Sequence, residues 1–185
     1  MDKNEIRRKA RARKSMLTNG EMLRAAESVW QQLEELAAFM VAEKVLMYHS
    51  LPDELNTHGF LDKWHSRKQL FLPRVNGVNL DILPYHQSCT HPGAFNIEEP
   101  DGSDTTDVAD IELIVVPAMA YDRRGNRVGR GKGFYDRLLS HSKALKVGVA
   151  YDCQMMDSID ADPTDVPVDI VITESRTYIV RSSKK

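Results

Sequence analysis

Ile6, Ala10, Arg13 and Leu17 fall on one side of a 3.6-residue period, while Lys3, Arg7, Arg11 and Lys14 fall on another. Asp2 followed by Glu5 reads as the capping box that opens this helix. Thr18 with Glu21 is a second capping box, after which Met22, Leu23, Ala26, Trp30, Leu33 and Ala37 recur at helical spacing. Residues 45–50 read as a first strand, and 57–67 as a helix with Phe60, Leu61 and Trp64 facing the core. Residues 69–75 and 78–84 flank Asn76-Gly77, a strong hairpin signal, and Pro73 marks an edge or the start of a loop. Residues 86–110 are rich in turn formers and read as one long loop. The continuous apolar, β-branched run 111–117 is the clearest buried strand. A loop rich in glycine and arginine (118–133) and a helix (134–141) follow. Residues 146–151, 169–173 and 177–181 read as three short strands. Strands alternating with helices predict an α/β chain with a largely parallel sheet.

The chain has 185 residues, 42% of them hydrophobic and 28% charged, which fits one soluble domain spanning 1–185. A net charge of −2 gives no general attraction to nucleic acid or membrane surfaces. No apolar run approaches the ~18 residues of a membrane span. The segment 1–14 is too polar for a secretory signal. Two cysteines, Cys89 and Cys153, make neither a disulfide framework nor a zinc pattern, so a reducing cytoplasm fits best.

The informative stretch is Tyr121–Arg137, YDRRGNRVGRGKGFYDR, with six cations and two acids. Gly129, Gly131 and Gly133 alternate with Arg130 and Lys132, so the backbone can turn tightly and aim successive N–H groups at an anion. The loop leaves a buried strand and feeds a helix start, where unpaired N–H groups favour phosphate. It is not a P-loop: Asn126 stands where the first glycine would be, and Gly133 replaces the Ser or Thr after Lys132. Phe134 breaks a dinucleotide GxGxxG pattern. The plainer alternative is a flexible surface loop with solvated arginines. Asp136 reads equally as a magnesium ligand beside a phosphate site or as an acid in a helix's first turn. Asp169, at the start of DIVIT, reads first as a turn residue at a sheet edge. The seven cations between Lys3 and Lys14 fit a solvated face, an RNA-binding stripe, or a Lys3–Arg7 pair reaching a ligand phosphate.

Val115–Arg137 resembles the 5-formyltetrahydrofolate cyclo-ligase (methenyltetrahydrofolate synthetase) family. The shared pattern is a strand ending in proline, Tyr121-Asp122, a Gly-Xaa-Arg turn and a Val-Gly-Arg-Gly-Xaa-Gly run closing on Tyr135-Asp136. Lys3-Xaa-Xaa-Xaa-Arg7, Ser50–Thr57, Phe95–Pro100 and Asp165–Asp169 match further motifs in order, so the resemblance covers nearly the whole chain. Ala118, Phe134 and Thr164 depart from the pattern, where Gly, Tyr and His are usual. The resemblance implies a three-layer α/β/α sandwich and ATP- and Mg²⁺-dependent closure of 5-formyltetrahydrofolate to 5,10-methenyltetrahydrofolate, with release of ADP and phosphate. It implies that Lys3, Arg7, Arg127, Gly129, Arg130, Gly131, Lys132, Gly133, Phe134 and Tyr135 hold ATP, with Arg130 and Lys132 acting on the transferring phosphoryl group. His49, Glu54, Phe95, Arg130 and Tyr135 would meet the folate, and Asp136 and Asp169 would hold Mg²⁺. The partners expected are small molecules, met by a monomer, with no membrane or nucleic acid. The competing readings are a relative of sugar-phosphate isomerases or CoA-transferases, which needs no ATP, and an RNA-binding module.

Overall fold

A computed structural model describes residues 1–87, 90–93 and 97–180. The chain opens with α1 (Lys3–Lys14), capped by the Asp2 side chain, which accepts from the Glu5 N–H. The capping box at Thr18 and Glu21 is complete and starts α2 (Asn19–Glu35). A short α3 (Ala37–Val41) leads to β1 (Lys44–Leu46) and α4 (His58–Trp64). The hairpin at Asn76-Gly77 joins β2 (Gln69–Asn76) to β3 (Asn79–Pro84), with Gly77 at φ 62°. Two short strands, β4 (Thr90–Pro92) and β5 (Glu98–Pro100), pair with each other. Then come β6 (Leu113–Val116), the tiny hairpin β7 (Ala120–Tyr121) and β8 (Arg127–Val128), and α5 (Phe134–Leu139). The last strands are β9 (Leu145–Val149), β10 (Ile170–Ile172) and β11 (Thr177–Ile179).

The seven-stranded sheet runs β11-β10-β9-β6-β1-β2-β3. Every pairing from β10 to β2 is parallel, and the edge strands β3 and β11 are antiparallel to their neighbours. Alternate strand residues serve opposite faces. Val45, Leu113, Val115, Val147 and Ile172 pack with Val29, Leu33 and Phe60 of α2 and α4. Leu46, Ile114, Val116 and Val171 pack with Leu138 and Leu139 of α5 and with Tyr121. The result is the expected α/β/α sandwich, thin on the α5 side. A third cluster seats Ile6 and Ala10 of α1 against Ala120, Val128, Met156 and Ile159.

Most elements lie where the periodicity predicts, with shorter strands. One difference is in the second helical stripe: Leu36 ends α2, Ala37 begins the separate α3, and Leu23 is exposed. The others are in the loops. Residues 86–110 contain the β4–β5 hairpin and a helical turn at Val108–Asp110, and 118–133 contains β7–β8. Two- and three-residue strands leave no readable alternation. Pro73 lies inside β2 rather than on an edge strand. The last rung shared with β1 is Leu46↔Phe71, so its missing N–H falls beyond that pairing. Two residues on, the Val75 N–H on that side donates to the buried Glu99 carboxylate at 3.2 Å.

Candidate functional site

The chain turns from β1 to β2 on one side and reaches β6 on the other, so the carboxyl ends of β1 and β6 frame a topological switch point. A cleft of about 750 Å³ opens there, within the size range of ligand sites. Tyr48 and His49 enter it from the end of β1, and Pro117 and Ala118 from the end of β6. Pro73, Val75 and Leu80 of the β2–β3 hairpin give an apolar wall, and the glycine loop forms the opposite, cationic wall.

Of the residues expected at a site, most line this cleft. Lys3, Arg7, Arg127 and Gly129–Asp136 all reach the cleft, as do His49 and Glu54. Phe95 lies outside the described residues. Asp169 is the exception and corrects the expectation that it joins Asp136. It sits at the amino end of β10, the far end of the sheet, where its exposed carboxylate accepts from the Lys146 N–H at 2.8 Å. Its neighbour in the same motif, Asp165, lines the cleft instead. The intervening residues carry the chain down the sheet: the Val166 N–H meets Asp136, the Val168 N–H meets the Gly125 carbonyl, and the Asp169 N–H meets the Lys146 carbonyl.

The glycine loop is held from both flanks. Asp122, fully buried at its base, accepts from the N–H groups of Arg124, Asn126 and Ile159 and from the Asn126 amide. Gly131 and Gly133 take left-handed φ values of 102° and 70°, which side chains rarely tolerate. Arg7 Nε donates to the Gly129 carbonyl at 2.7 Å. Arg127 is buried, with one terminal nitrogen 3.3 Å from Asp136 Oδ1 and its guanidinium over the Tyr135 ring. Its Nε is buried with no partner among the described residues. Arg130 is half-exposed, 3.7 Å from both Asp53 Oδ1 and Glu54 Oε2. Lys14, buried beneath, holds the other Asp53 oxygen at 2.8 Å.

Two titrating groups stand out. Burial pushes the Glu54 carboxyl up, against the Leu51 N–H that its Oε1 accepts at 2.9 Å and the nearby Arg130. Burial, and then the stacked His58 ring 4.2 Å away, push His49 down, which favours the neutral ring. The Lys3 ammonium lies 2.5 Å from both Asp162 and Asp165. Burial tends to lower its pKa, but the two carboxylates outweigh that and raise it. Asp165 shifts the other way: burial tends to raise it and Lys3 brings it down.

Among the described residues no group of three or more His, Cys, Asp or Glu side chains is gathered closely enough to hold a metal ion by itself, so a cation here would take at most two carboxylates from the protein. Asp136 and Asp165 supply carboxylate oxygens in one cleft, and an ammonium already sits on Asp162 and Asp165 as a cation would. The sequence missed Asp165 and Asp162. The signal for them is the motif aspartate four residues before Asp169 and the lysine that must be neutralised.

An α/β sandwich with a cleft at its switch point, lined by a cationic glycine loop and by carboxylates, is the architecture of a small-molecule enzyme site. A sequence model of the 5-formyltetrahydrofolate cyclo-ligase family matches residues 1–174. The chain belongs to this family of enzymes. It is 29% identical to the 5-formyltetrahydrofolate cyclo-ligase of Escherichia coli over 178 residues, 91% of this chain and 98% of that one. It is 27% identical to the Haemophilus influenzae cyclo-ligase over 181 residues, 92% and 97% of the two chains. Among solved structures it is similar to the 5,10-methenyltetrahydrofolate synthetase of Aquifex aeolicus. The TM-score is 0.90 at 34% identity, over all of this chain and 96% of that one. The Mycoplasma pneumoniae synthetase shares the fold, with a TM-score of 0.77 at 21% identity over 94% and 99% of the chains. No helix among the described residues is long and apolar enough to cross a membrane.

Proposed function

We propose that the cleft catalyses ATP- and Mg²⁺-dependent closure of 5-formyltetrahydrofolate to 5,10-methenyltetrahydrofolate. One observation carries the reading: the cationic glycine loop, the Asp136/Asp165 pair and the half-buried Glu54 line a single cleft in a chain of this family. A formamide oxygen is a weak nucleophile and leaves poorly as hydroxide. Its attack on the γ-phosphorus expels ADP and leaves an iminium carbon bearing a phosphate group. N10 then attacks that carbon, phosphate departs, and loss of the N10 proton leaves the methenyl bridge.

Little side-chain covalent chemistry is required, so positioning and charge stabilisation carry the rate. Arg130 and Lys132, with the loop's N–H groups, meet the phosphoryl oxygens. Leaving Asp53 and Glu54 frees Arg130 for that task and frees Glu54 to accept N–H bonds from the pterin edge. Neutral His49 adds a flat wall without a competing charge. Asp136 and Asp165 would hold Mg²⁺, which when bound neutralises phosphate charge. Arg127, 3.3 Å from Asp136 Oδ1, keeps that carboxylate aimed, and Lys3, released from its carboxylates, turns to the nucleotide. Four of the seven cations in α1, namely Lys3, Arg7, Arg13 and Lys14, are engaged within the chain, which weighs against an RNA-binding stripe.

The test is growth of methenyltetrahydrofolate absorbance from 5-formyltetrahydrofolate. It should require both ATP and a divalent ion, with one ADP formed per product. Product formed without nucleotide would favour an isomerase-like enzyme and refute the reading.

A further inference from the structure

Lys132 stands between two glycines in left-handed backbone, the arrangement with the most conformational freedom to lose. Its carbonyl is fixed from outside the loop. Arg137, one turn into α5, closes that turn through its own N–H on the Gly133 carbonyl at 3.1 Å. Its side chain then folds back over the Phe134 ring, the guanidinium carbon 5.7 Å from the ring centre. One terminal nitrogen donates to the Lys132 carbonyl at 2.7 Å, and Nε donates to the Val78 carbonyl in the β2–β3 turn, also at 2.7 Å. No carboxylate among the described residues pairs with this guanidinium. It spends its fork on two carbonyls 54 residues apart in the chain, a geometry that an ammonium cannot reproduce. Arg7 does the same from α1, on the Gly129 carbonyl. The glycine loop is thus pinned at both ends by arginines that lie outside the Gly129–Gly133 run.

We propose that Arg137 is a positioning residue for Lys132: by tying the Lys132 peptide to the β2–β3 turn it sets the direction of the lysine before substrates arrive. The proposal rests on the cyclo-ligase reading of the cleft. Misplacing a reacting or stabilising group by about 1 Å can cost 10²-fold in rate.

The experiment compares wild type, Arg137→Ala and Arg137→Lys in three measurements. The first is steady-state kinetics with 5-formyltetrahydrofolate and MgATP. The second is the rate of trypsin cleavage after Arg130 and Lys132 in the ligand-free protein. The third is thermal unfolding. In Arg137→Ala, kcat should fall roughly 10- to 100-fold with both KM values within about threefold. Loop cleavage should accelerate about tenfold, as expected when a local clamp rather than the whole fold opens. The melting temperature should hold within about 3 °C, because the side chain is exposed. Arg137→Lys keeps the charge and should stay near Arg137→Ala in both kcat and cleavage. Three results would overturn the proposal. These are unchanged cleavage, a raised ATP KM at normal kcat (direct ligand binding), or full rescue by lysine (charge alone). Should the wild type fail to cyclise the folate, the cyclo-ligase reading falls, while the cleavage rates still report whether Arg137 clamps the loop.

Discussion

Gly148→Ala should cost about 2–5 kcal/mol, although the change adds one methyl group in a strand. An added β-carbon would sit 2.6 Å from Cζ of Tyr121 and 2.8 Å from its hydroxyl oxygen. Carbon atoms are comfortable near 3.5–4.0 Å, so the overlap is roughly 1 Å. The ring cannot step aside, because Tyr121 is fully buried and its hydroxyl donates to the Val116 carbonyl at 2.5 Å. Nor can the strand retreat, because Gly148 is paired with Val116 of β6 and Val171 of β10. Overpacking of this kind costs about 1–3 kcal/mol. Forcing the ring off Val116 leaves a buried carbonyl unpaired, for roughly another 1–2 kcal/mol. At about 2–4 °C per kcal/mol for a chain this long, the melting temperature should fall by roughly 4–20 °C. Calorimetry would read it. In a Tyr121→Leu background the same alanine should cost less than half as much, since its obstacle is gone. A shift below about 2 °C in the Tyr121 protein, or full additivity with Tyr121→Leu, would refute the account.

Asp165→Asn should raise the Mg²⁺ concentration needed for half-maximal turnover by about tenfold or more, partly rescued by excess metal, whereas Asp169→Asn should leave it unchanged. Equal effects would undo the assignment of one aspartate to the cleft and the other to the sheet's far end. Lys132→Ala should lower kcat about 10²–10³-fold at a normal melting temperature, the scale for one preorganised charge stabiliser, and near-normal turnover would remove the loop from the phosphoryl step. Glu54→Gln should impair folate use yet melt higher than wild type at neutral pH. With its carboxyl raised by burial, the folded chain holds that proton more tightly than the unfolded one. Its contribution to stability therefore falls as pH rises from the ordinary carboxylate value through the folded one. The gain should shrink toward pH ~4, and a gain that ignores pH would exclude burial as the cause.

The long-period elements were legible because burial writes itself into them: the stripe of α2, the β-branched run of β6 and the Asn76-Gly77 turn each need particular residues in particular places. The glycine loop was legible for the same reason, since only glycine takes φ near 100° at position 131. What escaped was set by tertiary contact. The two- and three-residue strands β4, β5, β7 and β8 are too short to show a period. Choosing Asp165 over Asp169 required knowing at which end of the sheet each falls, and four residues of extended chain span that distance. Nothing in the sequence ties Arg137 to Val78, 59 positions earlier, whose carbonyl it meets in the fold.

The docking of α1 has a consequence for the order in which the molecule is made. Lys3 meets its carboxylates 159 and 162 positions later, and Ile6 packs on Ala120, Val128, Met156 and Ile159. At roughly 5–20 residues per second, a ribosome finishes that surface about 8–30 s after it has made the helix. For that interval α1 is a lone segment of 12 residues, near the lower limit for a stable helix in water, with its apolar side bare. The sheet strands can assemble behind it in sequence, but the cleft acquires Lys3 and Arg7 only as the last quarter of the chain closes over the first turn. Incomplete chains carry the glycine loop without Asp162 and Asp165 and with Lys3 not yet docked, so the cleft is completed late.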